Sequence, residues 1–200
     1  MSLVNNDSKR ESLPPGQKPI EHLMRWGKNH PTIDGPVPPI DLSKWNLTIY
    51  GEVKKPIRLS WDNLLKLPRV EPISDFHCVE GWSVLDLKWE GVRFKHIMIM
   101  VQPKETAKFV SFECADGYTT SLSLEELLGD DILLAYRLNG KYLEEGLGAP
   151  LRLVVPGKYA YKSAMWITRI KFTSKKETGY WESRGYSDTA DVWKNDRLSS

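Results

Sequence analysis

The sequence predicts an α+β domain. Apolar residues alternate in short runs separated by Gly and Pro turns. Helical spacing is confined to stretches of one or two turns. No strand–helix–strand rhythm recurs of the kind that builds a parallel sheet, so mixed sheets with short helices are expected. With 200 residues, 40% of them apolar and eight of them tryptophan, the chain can bury one sizeable core. Residues 1–16 are polar, end in Leu13-Pro14-Pro15-Gly16 and read as a flexible segment; residues 17–200 read as a single domain.

In chain order, Ile20 to Trp26 has helical spacing. Thr32 to Ile40 holds Pro36, Pro38 and Pro39 and must be extended or looped. Trp45, Leu47 and Ile49 alternate with polar residues, a strand with one buried face ended by Gly51. Ser60 opens a short helix with Trp61, Leu64 and Leu65 inward, stopped before Pro68. Val70 to His77 is a strand, and the chain turns at Glu80-Gly81. Phe94 to Val101 is a second helix, stopped before Pro103. Phe109 to Cys114 and Tyr118 to Leu122 form a hairpin across Asp116-Gly117. Ser123-Leu124-Glu125-Glu126 is a capping box that opens a third short helix. Ile132 to Leu138 returns as Lys141 to Leu143 across Asn139-Gly140. Leu151 to Val155 is a buried strand, and Ile167 to Phe172 the last strand.

Several function classes are disfavoured. A formal net charge of +2 gives no field for nucleic acid. Two cysteines without CxxC spacing argue against a disulfide framework or a structural zinc site. His22, His30, His77 and His96 have no metal-ligand spacing. No apolar run approaches membrane-spanning length, and the first residues lack the apolar core of an export signal, so a cytoplasmic protein is expected.

Chemistry concentrates in two stretches. In Asp75-Phe76-His77-Cys78-Val79-Glu80-Gly81-Trp82-Ser83, a cysteine ends a strand beside a glycine that admits close backbone approach. Such a sulfur suits a soft metal ligand or a nucleophile; as a lone residue it also reads as a small buried hydrophobe. In the second stretch, Leu151 to Val155 runs into Pro156-Gly157-Lys158-Tyr159-Ala160-Tyr161-Lys162-Ser163. A Pro-Gly turn and a basic, aromatic loop after a buried strand suit a phosphate, although Arg152, Lys158 and Lys162 taken singly read as solvated charges.

His77-Cys78-Val79-Glu80-Gly81-Trp82-Ser83, followed by Trp89-Glu90-Gly91-Val92, resembles the metal-binding segment of the sulfite-oxidase-type molybdopterin oxidoreductases, in particular their short single-domain members. The resemblance runs from about Leu13 to Trp193. It implies the sulfite-oxidase fold without the haem or immunoglobulin-like domains of the larger enzymes. It further implies one mononuclear molybdenum held by a pterin dithiolene, with Cys78 as the single protein ligand. Arg152 matches an arginine that contacts the cofactor. Lys158, Lys162 and Ser163 fall around the pterin and its phosphate, and Ala164 and Met165 continue that wall through their backbone. His77 sits beside the metal, and Cys114 falls near the pocket unless it is core filler. Tyr186 matches a tyrosine beside the metal whose phenol can hydrogen-bond substrate; the other reading of Tyr186 and Trp181 is aromatic anchoring of the C-terminal segment.

The chain departs from the family pattern at Leu147, where relatives carry His or Asn, and at Met165, where they often carry Lys. Ile33 and Ser83 stand where sulfite oxidases place arginines around their anion, so sulfite is not the expected main substrate. The expected function is two-electron, oxygen-atom-transfer redox chemistry on a small-molecule substrate. With no haem or iron–sulfur motif in the sequence, electrons would pass through a separate donor or acceptor protein or a membrane subunit. The alternative is a non-catalytic molybdopterin-binding or interaction module.

Overall fold

The computed structural model describes residues 13–28, 33 and 36–199. His30, Thr32 and the expected flexible stretch up to residue 12 lie outside them. Among the described residues, twelve strands and two α-helices follow in order: β1 (Lys18–Pro19), β2 (Asn46–Gly51), β3 (Ile57–Ser60), α1 (Trp61–Leu65), β4 (Arg69–Val70), β5 (Ile73–His77), β6 (Trp82–Arg93), α2 (Phe94–Val101), β7 (Phe109–Cys114), β8 (Thr119–Ser123), β9 (Leu133–Leu138), β10 (Lys141–Tyr142), β11 (Arg152–Val154) and β12 (Ile167–Thr173). The α+β expectation with mixed sheets holds.

One sheet has five strands in the order β3-β2-β12-β7-β8, with β12 parallel to β2 and antiparallel to β7. The other, of seven strands, is built on β6. It pairs with β1, β4 and β5 along its length and with β9, which in turn carries β10 and β11. Strand alternation divides the core around this second sheet. Val92, Leu134 and Leu153 join Leu47, Ile49, Phe112 and Phe172 of the five-stranded sheet in the larger cluster. Trp89, Leu133, Ala135 and Val154 face the other way, with Phe76 and Cys78, in a second cluster. Burial on both faces is why Leu133–Ala135 and Leu153–Val155 read as unbroken apolar runs.

Local signals behave as their chemistry requires. Ser60 Oγ accepts from the Asn63 amide at 3.3 Å and starts α1. Ser123 and Glu126 close a reciprocal capping box, with the Ser123 amide 2.7 Å from Glu126 Oε2 and the Glu126 amide 3.2 Å from Ser123 Oγ. The helix after it is only a 3-10 turn, Glu126–Leu128, cut short where Gly129 turns extended at φ −58, ψ 143. Ile20–Trp26 is not helical: Pro19 and the pairing of β1 with Trp82 and Ser83 draw it out, and the Ile20 amide continues that pairing to Ser83 O at 2.8 Å. The strand expected over Val70–His77 splits into β4 and β5 around Pro72, which has no N–H for the ladder. The longest strand, β6, has no counterpart among the sequence-predicted elements.

Candidate active site

β5 delivers Cys78 to its place. Phe76 and Cys78 alternate with His77 along the strand, so the two face one side and His77 the other. On the Phe76 side lies a cavity of about 330 Å³. Phe76, Cys78, Val79 and Glu80 line it from the end of β5, and Arg152 from β11. Asp116 and Tyr118 enter from the β7–β8 turn, and Ala160, Tyr161, Ser163, Ala164, Met165 and Trp166 from the loop between β11 and β12. Tyr180, Trp181 and Tyr186 close it from the C-terminal segment, Trp26 and Ile33 from the N-terminal one.

The Cys78 side chain is 6% exposed, and its sulfur is 3.7 Å from Glu80 Oε2, which also accepts from the Trp82 indole N–H at 2.9 Å. Burial pushes this thiol up from 9.0 to about 12. Arg152 is the opposite case, a guanidinium sealed in the protein. Its Nη1 donates to Leu147 O at 3.0 Å and its Nη2 to Ser163 O at 3.3 Å. Its Nε has no hydrogen-bond partner among the described residues. It lies 4.9 Å from the Phe76 ring centroid and 5.3 Å from that of Trp89. Desolvation with no carboxylate to offset it pulls the guanidinium down to about 9.

Of the residues singled out from the sequence, Cys78, Arg152, Ser163, Ala164, Met165 and Tyr186 meet at this cavity. Four others do not. His77 is buried behind the cysteine turn, with its Nδ1 2.7 Å from Ser83 Oγ, and burial lowers its pKa against the opposing pull of Asp75. Cys114 packs in the larger core cluster, where desolvation raises its thiol well above the ordinary range. Lys158 pairs with Glu126 at 2.6 Å over a separate shallow hollow. Lys162 is fully buried in an ion pair with Glu182, and also donates to Ser121 O at 3.1 Å. Both lysines are thus already neutralised, and Arg152 is the one cation lining the cavity among the described residues. Ile33 lines the cavity, whereas Ser83 is held behind it by His77 and Gln17. Leu147 is buried and serves Arg152 through its carbonyl.

The sequence reading missed most of the aromatic wall: Trp26, Phe76, Tyr118, Tyr161, Trp166 and Tyr180. Phe76 was within reach, because it stands two residues before Cys78 on a strand. Trp166 was not: it adopts φ +55 and hangs its indole N–H on Glu145 O at 2.8 Å. Tyr118, Tyr180, Trp181, Tyr186 and Tyr161 form a continuous run of rings with successive centroids 5.9, 5.1, 5.0 and 5.5 Å apart.

Residues 34–181 match the family described as the oxidoreductase molybdopterin binding domain. Among curated proteins, the chain is 43% identical over 159 residues to the uncharacterized oxidoreductase YuiH of Bacillus subtilis, covering 80% of each. It is 35% identical to the protein-methionine-sulfoxide reductase catalytic subunit MsrP of Campylobacter jejuni, covering 72% of this chain and 54% of that one. It is 34% identical to a putative protein-methionine-sulfoxide reductase subunit, YedZ1, of Azospira oryzae, covering 77% and 58%. The chain therefore spans little more than half the length of these two sulfoxide reductase relatives. Among solved structures, the sulfane dehydrogenase SoxCD of Paracoccus pantotrophus superposes with a TM-score of 0.65 at 24% identity, over 70% of this chain and 41% of that one, a likeness of fold.

Proposed function

The chain belongs to the oxidoreductase molybdopterin binding domain family and is a molybdopterin-binding oxidoreductase, and on that premise we propose that Cys78 and Arg152 hold its cofactor for oxygen-atom transfer with a small uncharged substrate. The observation that carries this reading is the pairing, in one cavity, of a thiol and an unneutralised buried guanidinium.

The residues fit the group. Among the described residues no cluster of three or more His, Cys, Asp or Glu can hold a metal by itself, so a metal at Cys78 must take its other donors from outside the protein, as a pterin dithiolene provides. The buried guanidinium, with Nε unused, suits the negative charge of such a ligand or its phosphate. Ser163 and the backbone through Ala164 and Met165 supply the neighbouring wall. Bound there, the cofactor supplies two-electron redox chemistry with transfer of an oxygen atom.

The chain's own side chains do the rest. Cys78 presents its sulfur at the floor of the cavity. The aromatic wall excludes water from a reacting group above it and strengthens every polar contact inside. Tyr186, at that wall, offers a phenol O–H to substrate. With Arg152 buried and no second cation on the lining among the described residues, a desolvated dianion such as sulfite finds little compensation. A neutral S=O group does not need it, and the relatives named for methionine sulfoxide make sulfoxide reduction the first reaction to assay. Electrons come from a separate carrier in this reading, which the name "catalytic subunit" of one relative supports. A single cofactor-bearing domain from residue 17 onward belongs to the same proposal.

The test is metal content and sulfoxide-dependent oxidation of a reduced dye, using protein made in a host that synthesises the cofactor. One molybdenum per chain is expected, lost together with turnover in Cys78→Ser. A metal-free, folded wild type from that host, or a serine variant that keeps both, overturns the proposal.

A further inference from the structure

Two side chains hold the turn that carries Cys78, one from each side of the 34–181 segment that matches the family. The turn itself is closed by the Gly81 amide on Cys78 O at 3.0 Å and the Cys78 amide on Trp82 O at 2.8 Å. From the N-terminal side, Gln17 Nε2 donates to Cys78 O at 3.1 Å. Gln17 Oε1 accepts from Ser83 Oγ at 2.9 Å, and since that hydroxyl has one proton, His77 Nδ1, 2.7 Å away, is the donor to Ser83. The amide is thereby fixed in one orientation.

From the C-terminal side, Arg197 Nη1 donates to Val79 O, and Nη2 to Gly16 O at 3.2 Å. Its Nε is held by Asn195 Oδ1 at 2.8 Å, an oxygen that also accepts from the buried Tyr159 hydroxyl at 3.1 Å. The neighbouring residues pair back on the cavity wall: Leu198 bridges Tyr186, and the Ser187 amide donates to Arg197 O at 3.0 Å. The same fold-back thus puts Arg197 on the cysteine turn and Tyr186 in the cavity.

Two consecutive carbonyls, those of Cys78 and Val79, are therefore pinned by distant side chains. The Cys78 amide on Trp82 O and the Cys78 carbonyl on Gln17 hold the two peptide planes that flank the Cys78 Cα and so set its Cα–Cβ direction, while Arg197 on Val79 O holds the next plane of the turn against rotation. We propose that Gln17 and Arg197 are positioning residues that aim the Cys78 sulfur into the cavity, and that Arg197 also sets Tyr186 in register with it. This rests on the reading of Cys78 as the metal ligand, but its first readout needs no metal.

In cofactor-free protein, the rate at which iodoacetamide alkylates each cysteine is followed by peptide mass spectrometry. Cys114, buried in the other cluster, reports global loosening. In Arg197→Ala and in Gln17→Ala the Cys78 rate is expected to rise about tenfold, equivalent to about 1.4 kcal/mol, with the Cys114 rate unchanged. Arg197→Lys, which keeps one donor, is expected to fall between wild type and alanine. In molybdenum-loaded protein the alanine variant is expected to shift the Mo(V) electron paramagnetic resonance signal, and the lysine variant to restore part of it. No change at Cys78, or a parallel rise at both cysteines, overturns the proposal whatever the metal content. Loss of molybdenum binding by the wild type would instead overturn the cofactor reading alone.

Discussion

Arg152 is where burial and charge conflict most sharply. A guanidinium taken out of water without a carboxylate destabilises the fold, and an anionic cofactor would reverse that penalty. Arg152→Met is therefore expected to separate two properties that usually move together. Cofactor-free protein should melt no lower than wild type, while molybdenum should be lost on dialysis, by a factor matching about 2 kcal/mol for a charged hydrogen-bond set. Thermal melts and metal analysis of one preparation check both.

Cys78 gives a pH dependence. Its thiol, raised from 9.0 to about 12 by burial, stays protonated in the folded chain where the unfolded chain has lost the proton. The folded state binds more protons across that window, so stability of cofactor-free protein should fall as pH rises through it. At pH 8, alkylation of Cys78 should run about a thousandfold slower than that of free cysteine, the ratio set by three units of pKa. The cysteine, the arginine and Tyr186 were legible as motif residues. That Lys158 and Lys162 are neutralised by Glu126 and Glu182 was not, because those partners stand 32 and 20 residues away, on other elements.

Among the elements, β6 matters most to the site. It pairs with β5, which carries the cysteine, and with β9, on which the arginine strand β11 is laid. It was missed because its 12 residues alternate only piecewise: Trp82 and Val84 share one phase, Leu87 and Trp89 the other, with Asp86 at φ +53 between them, and Trp89–Val92 is buried without a break. Gly91 explains one part of the family motif by packing. The register of β6 on β9 shifts between Glu90 and Gly91, and a Cβ at 91 would lie 2.2 Å from Leu134 O, a backbone atom that cannot move aside. Gly91→Ala is expected to destabilise the protein by about 3 kcal/mol or more and to lose the cofactor as a consequence, measurable by urea unfolding with intact chemistry at Cys78. Capping and turn signals were legible because they are local: Ser60, Ser123 with Glu126, and Asn139-Gly140 each act within a few residues of themselves.

At the scale of the whole molecule, the buried Lys162–Glu182 pair joins three parts. Lys162 stands on the loop leaving the seven-stranded sheet, and donates to Ser121 O on β8 of the five-stranded one. Glu182 comes from the C-terminal segment, next to Trp181 of the cavity wall, and accepts from Thr120 Oγ1 at 2.7 Å. Lys162→Met leaves a buried carboxylate without its cation and is expected to destabilise by about 3–5 kcal/mol. Adding Glu182→Gln should recover most of that loss, which a double-mutant cycle in urea would measure. If the single variant melts like wild type, the pair does not hold the sheets together.

By itself the sequence determined the α+β class, most local elements, the cysteine motif and the arginine on the strand before the Pro156-Gly157 turn, since each is written in neighbouring residues with a short-range physical reason. Tertiary structure alone decided which charges face the cavity, which aromatic rings wall it, and that Gln17 and Arg197 reach the cysteine turn from positions 61 and 118 residues away along the chain. Such pairings follow from strand order and sheet packing, and neither periodicity nor composition encodes which distant residues those bring together.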